Sequence, residues 1–136
     1  MTKFLLLIYL KYIYWEEHEM HTRRKYLFLE PYLVDKIDYF IDNYVSGRRG
    51  RIVNVVISLF LLLDKNVRKQ YEILAKDYIE ESPHLDFGVK YGEVRKGKIS
   101  VQLYISSRLE KEFNKYNNKV LVVAALLYVG IIKGGE

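Results

Sequence analysis

The sequence predicts a mainly α-helical protein carrying a short antiparallel β-ribbon, and three observations predict it. An apolar pattern that changes from strand spacing to helix spacing occurs twice in the 136 residues. Helix-start chemistry stands at the matching place in each copy. Each copy then enters an almost wholly apolar stretch, Ile52–Leu63 or Val120–Ile132. Both stretches are shorter than the roughly 20 residues that a membrane-spanning helix needs, so they read as buried core helices.

Leu27, Leu29, Leu33 and Ile37 are spaced two, four and four apart, and Leu103, Ile105, Leu109 and Phe113 repeat that spacing 76 residues later. A step of two keeps side chains on one face of a strand, and steps of four keep them on one face of a helix. Each copy therefore reads as a short strand running straight into an amphipathic helix. Pro31 falls at the first helical position of the first copy, where its missing N–H costs nothing. In the second copy Ser107 and Glu110 have the spacing of a capping box, with Ser106 as the strand-to-helix hinge.

A polar break follows each amphipathic helix: Ser46, Gly47, Arg48, Arg49, Gly50 and Arg51 in the first copy, Asn117, Asn118 and Lys119 in the second. Beyond the breaks, Ile52, Val53, Val56, Ile57 and Phe60 correspond to Leu121, Val122, Ala125, Leu126 and Val129, now at an offset of 69. The lost seven residues are almost two helical turns, so the shorter copy keeps its apolar face in register.

Between the copies, Tyr71, Leu74, Ala75, Tyr78 and Ile79 give Val67–Glu81 helical spacing, and Ser82–Pro83 ends it. Leu85, Phe87, Val89 and Tyr91 then alternate like a strand. The opening Phe4–Trp15 is too uniformly apolar for periodicity to choose a structure, and no small-residue cleavage site follows it. The chain thus divides, within one domain, into an N-terminal extension (1–21), a first repeat (22–65), an inserted helix with its connector (66–96) and a second repeat (97–136). A soluble, intracellular protein is expected.

Half the residues are hydrophobic and 29% are charged, which excludes intrinsic disorder. The chain has no cysteine, which excludes disulfide frameworks, thiolate zinc sites and cysteine nucleophiles. Thirteen tyrosines beside that absence suit a hot environment. The net charge of +5 is concentrated: residues 22–65 carry 8 basic and 5 acidic side chains, residues 97–136 carry 6 and 3, and residues 66–96 are balanced. That distribution permits a polyanionic partner. Catalysis is not expected, because Asp38 with Asp42 and Glu80 with Glu81 read as solvated helix faces rather than acid–base pairs. The glycines form no nucleotide-binding fingerprint. His18 and His21 lie one turn apart but lack a third ligand, so neither metal nor cofactor nor small-molecule substrate is expected.

A lone strand leaves its backbone donors and acceptors unpaired. Two units remedy this by joining their strands into one antiparallel ribbon over four helices. The strand motifs Leu27–Phe28–Leu29 and Leu103–Tyr104–Ile105, each followed by a helix, a polar break and an apolar helix, resemble the ribbon–helix–helix family of DNA-binding proteins. The resemblance covers roughly residues 24–64 and 98–133. It implies a tandem ribbon–helix–helix pseudo-dimer on one chain. It also implies sequence-specific binding of double-stranded DNA and a role in transcription regulation, with further self-association compatible.

In that family the ribbon enters the major groove. With Leu27, Leu29, Val101, Leu103 and Ile105 turned to the core, the reading face carries Arg24, Tyr26 and Phe28 from one strand. Ser100, Gln102 and Tyr104 come from the other. Arg24 suits guanine, Gln102 suits adenine, and an aromatic ring packs on a thymine methyl. The family also anchors phosphates at the start of the second helix, which here implies Arg48, Arg49, Gly50 and Arg51, and, beside Asn117, Asn118 and Lys119. Tyr26 and Phe28 are aromatic where the family usually places polar or basic side chains. The alternative expectation is therefore a structural or protein-interaction module of the same fold without base reading. A weaker third expectation is contact with a membrane surface through Phe4–Trp15.

Overall fold

The predicted strand segments form two strands of eight residues each, β1 (Thr22–Leu29) and β2 (Ile99–Ser106). They pair antiparallel, with Thr22 opposite Ser106 at one end and Leu29 opposite Ile99 at the other. The computed structural model describes residues 22–82 and 99–134. Over these the protein is mostly helical, with one two-stranded antiparallel sheet. Five helices accompany the strands: α1 (Pro31–Tyr44), α2 (Arg49–Leu61), α3 (Lys65–Glu81), α4 (Ser107–Phe113) and α5 (Asn118–Val129). Phe4–Trp15, His18 with His21, and the alternating Leu85–Tyr91 lie outside the described residues.

The helix starts fall where the apolar repeat puts them. Pro31 and Ser107 open α1 and α4 at the offset of 76, and Arg49 and Asn118 open α2 and α5 at the offset of 69. The first helix takes the whole shortfall, with 14 residues in α1 against 7 in α4. The apolar helices stay nearly equal, at 13 and 12 residues. Helix α3 starts at Lys65, two residues ahead of the expected Val67, and ends at Glu81 as expected, with Ser82 as its cap.

The expected Ser107–Glu110 capping box does not form. The cap is Ser106, whose hydroxyl accepts a hydrogen bond from the Arg108 N–H at 3.3 Å. Ser106 is the last extended residue of β2, so it rather than Ser107 meets the free N–H groups of the first turn. Glu110 turns instead to β1, lying 3.0 Å from Lys25 Nζ and 3.9 Å from Arg23 Nε. At the other end of this repeat, Gly130 terminates α5 at φ +79°, a conformation that costs a residue without Cβ little. The Ile131 N–H then closes back on the Leu126 carbonyl at 3.0 Å, and Ile132 is buried behind it.

The core lies between the inner face of the ribbon and the two apolar helices. Leu27, Leu29, Val101, Leu103 and Ile105 are all buried, as the alternation predicts. Ten consecutive residues of α2, Ile52–Leu61, are buried, Asn54 and Ser58 among them. Helix α5 contributes Leu121–Leu126 and Val129, while Leu33, Ile37 and Phe40 of α1 and Phe113 of α4 add to the same cluster. No helix among the described residues is long and apolar enough to cross a membrane.

The inserted helix α3 packs on α5 through buried Ala75 and Tyr78, and the Tyr71 ring meets that of Tyr128 edge-on at 5.3 Å. Arg68 fastens its first turn. This residue is only 8% exposed, and its Nε donates to the Leu63 carbonyl at 3.1 Å. Its Nη1 donates to Glu112 Oε2 at 3.0 Å and to the Tyr116 hydroxyl at 3.3 Å.

Hydrogen bonds from Lys115 first, and then from Arg68, hold the Glu112 carboxyl below its ordinary range. A depressed carboxyl adds stability that is complete above the unfolded-chain value of about 4.3 and lost as pH falls through the folded one. The denaturation midpoint of the native chain is therefore expected to drop more steeply below about pH 4.3 than that of Glu112→Gln. Superimposable acid profiles would show that this ion pair contributes nothing.

Candidate nucleic-acid interface

Because strand side chains alternate, the residues between the buried ones in β1 and β2 share the ribbon's outer face. The register sets Arg24 opposite Tyr104, Tyr26 opposite Gln102 and Phe28 opposite Ser100. All six predicted reading residues thus lie on one face in three alternate rungs. Tyr26 and Tyr104 are about half exposed, at 51% and 47%. Arg24, Ser100 and Gln102 are exposed as well, and Phe28 is half-buried.

These groups are joined to one another. The Arg24 guanidinium lies over the Tyr104 ring, 5.9 Å from its centre. Its pKa is held above the ordinary arginine value, chiefly by a hydrogen bond to Tyr26 and then by the nearby Tyr26 and Tyr104 hydroxyls. The Gln102 amide donates to the Tyr104 hydroxyl. A cation, an amide and two phenols are therefore presented to solvent between the middle of the face and its Arg24–Tyr104 end. Arg23 and Lys25 point the other way along the alternation, and Lys25 reaches Asn114 (3.4 Å) and the Phe113 ring (5.7 Å) on α4.

The start of α2 is seated on β2. A Cβ at Gly50 would stand 3.2 Å from the Gln102 carbonyl oxygen, closer than ordinary contact, so the strand itself explains this glycine. The family resemblance implies a phosphate at this helix start. One turn on, buried Asn54 accepts a hydrogen bond from the Tyr104 N–H at 2.8 Å, which fixes the strand beneath Tyr104. Asn54 looks in the sequence like a mere interruption of an apolar run. A single amide inside such a run is itself the signal that a backbone group elsewhere needs a partner. Asn54→Leu is expected to leave the Tyr104 N–H buried without it, costing about 1–3 kcal/mol. Amide hydrogen exchange at Tyr104 should quicken in that variant; unchanged protection would contradict the assignment.

The predicted phosphate residues divide in two. Arg48 and Arg51 are exposed. Arg49 is clasped by Asp38 through two parallel bonds, Nε–Oδ1 at 3.0 Å and Nη2–Oδ2 at 2.7 Å. Asp38 raises the Arg49 pKa, and its role corrects the reading of this carboxylate as a solvated helix face. The planar carboxylate takes up the fork that a phosphate would otherwise use. At α5 the side chain of Asn117 caps the helix, accepting from the Lys119 N–H at 2.9 Å. Asn118 is exposed, and it shares with Lys119 a crevice lined by Leu27, Phe28 and Leu29. Among the described residues no group of three or more His, Asp or Glu side chains is placed to hold a metal ion. Comparison of the chain with protein-family models, with curated proteins and with solved structures finds no match.

Proposed function

We propose that this chain binds double-stranded DNA as a tandem ribbon–helix–helix pseudo-dimer, with the β1–β2 ribbon in the major groove, and that it acts as a transcription regulator. One observation carries the reading. Tyr26 and Gln102 face each other at mid-ribbon, and these two residues are 76 apart, the offset of the internal repeat. Equivalent residues meeting face to face is what a local two-fold axis through the ribbon requires. The pairs Arg24–Tyr104 and Phe28–Ser100 are then related across that axis. The coincidence of helix starts at the same offsets supports the same symmetry.

A groove about 12 Å wide admits a two-stranded ribbon. Arg24 and Gln102 carry the planar donor groups suited to guanine and adenine, and the aromatic side chains suit thymine methyls. Arg48, Arg51 and Lys119, near the starts of α2 and α5, are suited to flanking phosphates, which set register without selecting sequence.

Salt titration tests the reading. With about three or four phosphate contacts, affinity for duplex is expected to fall roughly 40–150-fold between 50 and 200 mM salt. Arg48→Ala and Arg51→Ala should each lower the salt slope by about one, equally for all sequences. Arg49→Ala should do so less, since Asp38 already holds that fork. A duplex affinity that ignores salt would overturn the proposal. The half-exposed rings of Tyr26 and Tyr104 favour one other reading, a protein-binding face. That reading predicts a salt-insensitive partner lost on substituting either tyrosine.

A further inference from the structure

We infer that the duplex target is non-palindromic and is bound in a single orientation, an inference that rests on the DNA-binding reading above. Two identical units would offer identical side chains to two half-sites. Here the positions related by the repeat differ in chemistry: Arg24 corresponds to Ser100, Tyr26 to Gln102, and Phe28 to Tyr104. The two ends of the reading face are consequently unlike.

At the Arg24–Tyr104 end the guanidinium is positioned over the Tyr104 ring, and the Gln102 amide is drawn to the Tyr104 hydroxyl. Arg24 stands at that end, and the mid-ribbon Gln102 amide leans to the same side. The other end has only half-buried Phe28 and exposed Ser100.

The flanking cations follow the same polarity. Asn118 and Lys119 open α5 beside Phe28, and the two-fold that relates α5 to α2 puts Arg48 and Arg51 on the Tyr104 side, where Asn54 of α2 holds the Tyr104 N–H. Lys119 flanks the Phe28 end, in the crevice that it shares with Asn118. One half-site is thus read by hydrogen bonds, with a purine selected by Arg24 or Gln102, and is gripped by arginines. The other offers a thymine methyl to Phe28 and a phosphate to one lysine. Turning the duplex around would place donors against a methyl and leave the purine edge facing a phenyl ring, so the two orientations differ in free energy.

The experiment is a selection of the full-length chain on random duplexes, followed by binding to the enriched site and to its two mirrored versions, each made by inverting one half over the other. The consensus is expected to lack two-fold symmetry, and both mirrored duplexes should bind about tenfold more weakly or worse. Because the chain has no cysteine, Ser46→Cys gives a single attachment point for an iron-chelate cleavage reagent in the loop before α2. Cuts should appear on one flank of the site only.

A palindromic consensus, equal binding to either mirrored duplex, or cuts on both flanks would overturn the inference while leaving DNA binding intact. Salt-dependent binding without any enriched sequence would do the same. Absence of salt-dependent duplex binding would overturn the DNA reading and this inference with it.

Discussion

Phe60→Ala is expected to lower the free energy of unfolding by about 3–5 kcal/mol. Phe60 is fully buried in α2, and its ring meets that of Tyr116 edge-on at 6.2 Å. Truncation removes the transfer free energy of the ring and leaves a void that surrounding side chains fill only in part, because interiors are close-packed. Small domains hold only about 5–15 kcal/mol in total, so the loss is a large share of the whole. Urea unfolding should show a lower midpoint at unchanged slope, which marks a change in stability rather than in the folded state. A loss under about 1 kcal/mol would mean that α2 does not lie at the centre of the core.

The second largest effect is expected at Arg68. Arg68→Met keeps much of the side-chain volume and removes three hydrogen bonds, to the Leu63 carbonyl, the Glu112 carboxylate and the Tyr116 hydroxyl. The Leu63 carbonyl and the Tyr116 hydroxyl then lose a charged partner in a poorly solvated place, for a cost of about 2–4 kcal/mol. Since Phe60 and Arg68 both contact Tyr116, the double variant should depart from additivity by about 0.5 kcal/mol or more. Strict additivity in urea midpoints would show that Tyr116 does not couple the inserted helix to the core.

Arg68 also marks the limit of what spacing alone reveals. Periodicity finds residues that share a face, so Leu27 with Leu29, Leu33 with Ile37, and Ile52 with Phe60 were legible, and with them the strands and the helix starts. The outer face of the ribbon followed from the same alternation, since whatever stands between buried positions must point outward. Single polar contacts between distant elements leave no period. Nothing in the sequence links Arg68 to Glu112, Asn54 to the Tyr104 backbone, or Arg49 to Asp38, because each depends on how two elements cross. Neighbouring candidates are equally hard to separate. Ser106 and Ser107 are both good caps by type, and only the point where β2 stops being extended selects Ser106. At Gly50 the closely approaching group is the Gln102 carbonyl of the same chain, a contact that no spacing reveals.

The sheet has its own consequence for dosage and timing. Both of its strands come from the same polypeptide, with about half of the chain's length between them. When two separate molecules must each donate a strand, dilution dismantles the groove-entering element itself. On the proposed reading, a molecule that supplies both is complete at any copy number, so occupancy of a DNA site would follow concentration to the first power. The penalty falls on kinetics, since rungs joining remote segments close late and slowly while the local helices wait for them.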